Sequence, residues 1–312
     1  MRFNNIALAA TAVVSVTAAR PSDTPICDYY TTALLKNNTA KNQLTLLTLL
    51  VNTVVIGNYT EPNVGIKVPG ILAAGKVNDT EVNLLPYFSG ELASTNRGGK
   101  MGVAVNFLDG GGAAPLMKNK AANDETSDQY FLLTHLYQFF GSLLGCSEQG
   151  MAGFDAYKAQ SSMYKVHKFM DLDYYQVTYF VTQVGLAAAS FGVAEDDIKA
   201  VAMALNSIFN VRCAPATTAI KAQGAQLQSI CIDKSCPLAK DGVCSKYDTP
   251  IEPKNATASG DESSASASMA SGTATATGTS ATTEASATTT GGATAMGLSW
   301  AAAAVGFAAF ML

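Results

Sequence analysis

The chain has little of what most enzyme sites are built from. Two histidines and one tryptophan occur in 312 residues, and only 14% of residues are charged. Serine or cysteine machinery that relies on an imidazole base must therefore use His135 or His167. No G-x-S-x-G elbow is present. Gly110-Gly111-Gly112 lacks the Lys-Ser/Thr that a phosphate loop needs and reads as a turn. Lys and Arg form no cluster and the formal net charge is −4, which argues against nucleic acid as a partner. Zinc at Cys231, Cys236 and Cys244 is disfavoured too, because no CxxC pair occurs and neither histidine lies near them. Acidic residues such as Asp128, Glu148, Asp155 and Asp173 are scattered and read as helix caps and solvated charges.

What is present points outside the cell. Residues 1–19 read as a secretory signal: Arg2, an apolar run from Ile6 to Val16, then Thr17-Ala18-Ala19 at a cleavage site. That run is shorter than the roughly 20 apolar residues a membrane span needs. Residues 295–312 are apolar and uncharged and follow a Ser/Thr/Ala/Gly-rich stretch, the pattern of a signal for a GPI lipid anchor on the membrane, with Ser286 or Gly291 as the attachment site. A single tail-anchored helix is the alternative. Residues 250–294 cannot bury enough apolar surface to offset their ordering entropy, so they are expected to form a disordered, O-glycosylated stalk. Asn37, Asn58, Asn78 and Asn255 each open an Asn-x-Ser/Thr triplet and are expected on the surface as glycosylation sites. Cys27, Cys146, Cys213, Cys231, Cys236 and Cys244 are an even set in an oxidising compartment, so three disulfides are expected, with fifteen pairings open.

Residues 20–249 form the working domain. Its spacing predicts an all-α fold with helices over 41–56, 128–145, 162–169, 173–191 and from 194 to about 209. Asp128 and Asp173 are the expected N-caps, and Gly57, Gly145 and Gly192 the stops. Residues 57–127 read as loops with short helices, and 213–245 as a cysteine-stapled wrap. The helix at 128–145 is apolar nearly all round, so it is expected to be buried and to carry His135 inside. A buried imidazole needs a partner; a backbone carbonyl is the plain choice and a metal ligand the sharper one. His167 and Asp171, four apart, could together hold a metal, on weak evidence.

Residues 131–211 resemble the second half of a truncated haemoglobin. The resemblance is carried by Phe139-Phe140, Leu144-Gly145, Tyr157, Met163 and Val166-His167, then by Leu172, Gly192-Val193, Glu195-Asp196-Asp197 and Ile198. Leu84-Leu85-Pro86-Tyr87-Phe88-Ser89-Gly90 is similar to the family's corner segment. The resemblance implies a globin-like fold binding haem b, with His167 as proximal ligand and Phe88 stacking on the ring. Leu132 and Leu136 would line the distal side, and Met163, Leu172 and Val177 the proximal side. His135 falls where some members supply a second iron ligand. The family's distal tyrosine is replaced, at Asn52, and residues 91–127 are a long insertion. The expected function is an extracellular haem protein at the plasma membrane or cell wall of a fungal-type cell, for redox, peroxide or diatomic-gas chemistry. The alternative is a cofactor-free structural or adhesive wall protein in contact with cell-wall glycans. No nucleophile or carboxylate motif singles out a hydrolase.

Overall fold

A computed structural model describes residues 20–60 and 64–254. The signal and lipid-anchor readings, Asn255, Ser286 and Gly291, and nearly all of the stalk lie outside these residues. The chain is mostly helical: α1 (Ile26–Leu35), α2 (Ala40–Ile56), α3 (Leu85–Ser89), α4 (Ala113–Leu116), α5 (Asp128–Leu143), α6 (Met163–His167), α7 (Tyr174–Ser190) and α8 (Glu195–Phe209). Among the described residues no helix is long and apolar enough to cross a membrane.

The expectation of an all-α domain is corrected between α2 and α5. There β1 (Gly75–Val77) pairs antiparallel with β2 (Thr80–Val82), and β3 (Gly90–Thr95) with β4 (Val103–Asn106). The first hairpin turns through Asn78 at φ 53, a left-handed conformation that asparagine tolerates. These strands are three to six residues long. So short a run hardly registers as an alternating pattern, which is why it reads as loop.

Most helix boundaries follow local chemistry. Gly57, at φ 83, closes α2. Asp173 caps α7 in a reciprocal box with Gln176: its Oδ1 accepts from the Gln176 N–H at 2.7 Å, and Gln176 Oε1 accepts from the Asp173 N–H at 3.0 Å. Ser127, not Asp128, caps α5, its Oγ accepting from the Tyr130 N–H at 3.1 Å. The short side chain of Ser127 stands at the extended position before the first helical residue, which is what a cap requires. Helix α1 was not expected; only Cys27, Tyr30 and Thr31 of it are buried, a single narrow face.

One continuous core joins α2, α5, α7 and their neighbours, with Leu47, Val51, Leu133, Tyr137, Phe140, Val181 and Ala187 inside it. Buried amides on the helices hold the irregular segments. Gln183 Oε1 accepts from the Gly70 N–H at 3.0 Å, and Gln129 Nε2 donates to the carbonyls of Gly112 and Ala121, both at 2.9 Å. A helical side chain thus satisfies loop backbone that no ladder serves.

The disulfides are Cys27–Cys146, Cys213–Cys244 and Cys231–Cys236. The first ties α1 to the end of α5. The other two staple residues 213–244, within the expected wrap, and this segment packs on α6: Ser162 Oγ donates to Leu227 O at 2.6 Å, and Gln228 Oε1 accepts from the Met163 N–H at 3.1 Å.

Candidate functional site

Helix α5 is not buried all round. Leu133, Tyr137, Phe139 and Phe140 face the core, Phe131 is 53% exposed, and Leu132, His135 and Leu136 are half-buried. The ring of His135 lies 4.0 Å from that of Phe131 and 6.2 Å, edge-on, from that of Tyr157. Its Nδ1 faces the carbonyl of Phe131, one turn back.

His167 ends α6 in the same way, with Nδ1 2.8 Å from Met163 O, also one turn back. A carbonyl only accepts, so in both residues Nδ1 carries the proton and the Nε2 lone pair is left for another partner. No protein group among the described residues takes either Nε2. His167 is half-buried; desolvation lowers its pKa, and the bond to Met163 opposes the shift less strongly. The shift favours the neutral imidazole, the form that binds metals.

The other residues of the haem reading are distributed unevenly. Phe88 and Leu132 meet in a small cavity between α3 and α5 of about 10 Å³, which also touches Phe107 and Leu116. That is room for roughly one water. Leu136 packs half-buried against the core, while Met163, Leu172 and Val177 are fully inside it. Asn52, expected from the resemblance in place of a distal tyrosine, is fully buried; its Oδ1 accepts from Tyr137 Oη at 2.6 Å and its Nδ2 donates to Leu116 O at 3.1 Å. Neither histidine lines this cavity or the larger one described below, and no hydrogen bond or ring contact joins the two. His167 and Asp171 do not form a pair: Asp171 stands beyond α6 at φ 46. Among the described residues no three His, Cys, Asp or Glu side chains converge as for a metal ion. All six cysteines are in disulfides. Asn37, Asn58 and Asn78 are exposed.

Two features escaped the sequence. The first is a buried polar clamp. Arg20 donates from Nε and Nη2 to Asp197 Oδ1 at 3.0 and 2.9 Å, and Tyr30 Oη donates to Asp197 Oδ2 at 2.8 Å. Burial, with the Asp197 carboxylate beside it, pushes the Tyr30 phenol up to about 12. Asp197 reads in sequence as one of three first-turn acids of α8; nothing marks it as the buried one. The second is a cavity of about 50 Å³ bounded by α1, α2, α5, α7 and α8. Its signal was the run of small residues Gly185, Ala188 and Ala202, legible only once α7 and α8 are placed side by side. No protein-family model matches this chain, and no curated protein or solved structure does.

Proposed function

We propose that this is an extracellular, disulfide-stapled surface domain in which His167, through Nε2, and His135 would be the residues that hold haem b. One observation carries the reading: both imidazoles are oriented by an Nδ1–H bond to a carbonyl one turn back, leaving Nε2 free, and desolvation favours the neutral form of His167. The donor set fits an iron porphyrin; preformed space does not, because the cavity holding Phe88 and Leu132 takes about one water. Binding on this reading displaces half-buried side chains such as Leu136 and Val166. Bound haem would supply one-electron, peroxide or diatomic-gas chemistry. The protein orients the two rings and favours the unprotonated form of His167. Oxidised cysteines and exposed Asn37, Asn58 and Asn78 support export and glycosylation, with GPI attachment at the plasma membrane or wall as the matching address.

A second reading is a cofactor-free structural or adhesive protein of the wall, in contact with glycans. It is favoured by the absence of a histidine from the lining of either cavity. The two separate on titrating haemin into the full chain purified from an oxidising host. Haem ligation gives a saturable Soret band, lost in His167→Ala and converted to a five-coordinate spectrum in His135→Ala. A folded, disulfide-intact chain that yields no saturable band rules out the haem reading and leaves the second.

A further inference from the structure

The larger cavity is almost free of polar surface. Leu46, Leu47 and Leu50 of α2 and Val181 and Val184 of α7 form one wall, and Ile198, Val201 and Ala202 of α8 the other. Gly185, Ala188 and Ala202 are the lining residues with the least side-chain volume. The polar groups among its lining residues are occupied by each other and by backbone. Asp197 takes Arg20 and Tyr30, and Tyr30 Oη accepts from the Ala194 N–H at 2.9 Å. No polar atom is left to hold a water, which needs two to four partners, so the space stays dry.

Its opening is apolar as well. Leu34, 40% exposed, lies on the rim, and half-buried Phe191 and Val193 continue it. Val64, 42% exposed, is held beside them through its N–H to Ser190 O at 3.0 Å. The cavity of about 50 Å³ has room for roughly four water-sized groups, a volume that takes a short piece of hydrocarbon chain and is too small for a fused ring system.

We propose that this cavity is a binding site for the end of an uncharged aliphatic chain, which enters between α1 and α8 past Leu34 with its head group left outside. The neutral Arg20–Asp197 pair offers no unpaired charge, so an alcohol or ester head is admitted and a carboxylate gains nothing there. The site is separate from the histidines and does not depend on the haem reading.

The test uses the full chain, haem-free, with the uncharged dye dansyl-dodecylamide as probe, its alkyl chain free to enter and its fluorophore left outside as the head group, and dodecanol as competitor. Saturable, one-site fluorescence enhancement that dodecanol reverses is expected. Gly185→Ala with Ala202→Leu fills the cavity; the new Cβ at 185 has only Ile198 Cγ2 near it, at 3.5 Å, an ordinary contact. This variant is expected to melt at or above the wild-type temperature while binding the dye at least tenfold more weakly. Should it fail to fold, Gly185→Ala alone serves, with a severalfold loss expected. Displacement by dodecanol points to a chain free in solution, and displacement by phosphatidylcholine vesicles alone to one drawn from a membrane. Failure of both, or equal dye binding by the filled variant, overturns the proposal.

Discussion

At the scale of single residues, Asp171 is the least comfortable group in the domain. Its backbone is left-handed at φ 46, and its buried Oδ1 has no hydrogen-bond partner. Desolvation, then repulsion from Asp233, Glu252 and Asp173, raises its pKa above the ordinary carboxylate range. An acid whose folded pKa is raised favours the native state when protonated, so its penalty is absent below about pH 4 and grows as pH rises through the folded value. Asp171→Asn keeps a residue that tolerates the left-handed region and removes the charge. The variant is expected to melt higher than wild type at pH 7, with the gap closing as pH falls toward 4; a constant gap across that range would show that charge is not the cause. His167 teaches a complementary lesson. Its helix and position were legible in sequence, but its tautomer depends on where Met163 O points, which only the folded turn of α6 determines.

At the scale of elements, the junction between α2 and the segment after it is packed backbone against backbone. Gly57 and Gly70 both have positive φ, and a Cβ on Gly70 would sit 2.3 Å from the Gly57 nitrogen and 2.7 Å from Val55 O. Close approach here lets the N–H groups of Ile71 and Leu72 reach Val54 O and Val55 O at 2.8 and 3.1 Å. Gly70→Ala is expected to cost about 3 kcal/mol, a fall in Tm of roughly 6–12 °C for a domain this size. Gly99→Ala, also at positive φ but with nothing within 4 Å of the new Cβ, should cost only about 1 kcal/mol. Equal losses would place the cost in φ alone. The long helices α2, α7 and α8 were readable because each carries both apolar periodicity and an end signal. The hairpins were not, since strands this short are held by β-pairing and loop contacts rather than by a pattern of their own.

At the scale of the whole molecule, the disulfides divide the work unequally. Cys27–Cys146 closes a separation of 119 residues and anchors α1, which forms one side of the apolar cavity. Cys231–Cys236 closes only five. Loop-closure entropy gives the long link about 5 kcal/mol and the short one about 2. Replacing Cys27 and Cys146 by Ala is therefore expected to lower stability by about 2–5 kcal/mol, and more than the same change at Cys231 and Cys236, as read by urea unfolding. The reverse order would mean that the wrap over α6, not α1, is the weaker unit. Six cysteines in sequence implied three links; their pairing needed Cα atoms brought within disulfide reach, which is a property of the packed chain alone.

The sequence by itself determined the long helices, the oxidised cysteines, the surface asparagines and the two histidines as the only imidazoles the domain can use. Each of these follows from composition or from spacing within about one helical turn, so no distant contact is needed to read it. Tertiary structure alone decided that His135 is half-exposed, that Asp197 is buried in a clamp with Arg20 and Tyr30, and that Gly185, Ala188 and Ala202 line an apolar hollow. These are facts about which faces meet in the folded chain, for the Asp197 clamp across 167 and 177 residues. Burial, charge pairing and empty volume are set by that meeting, and no local pattern encodes it.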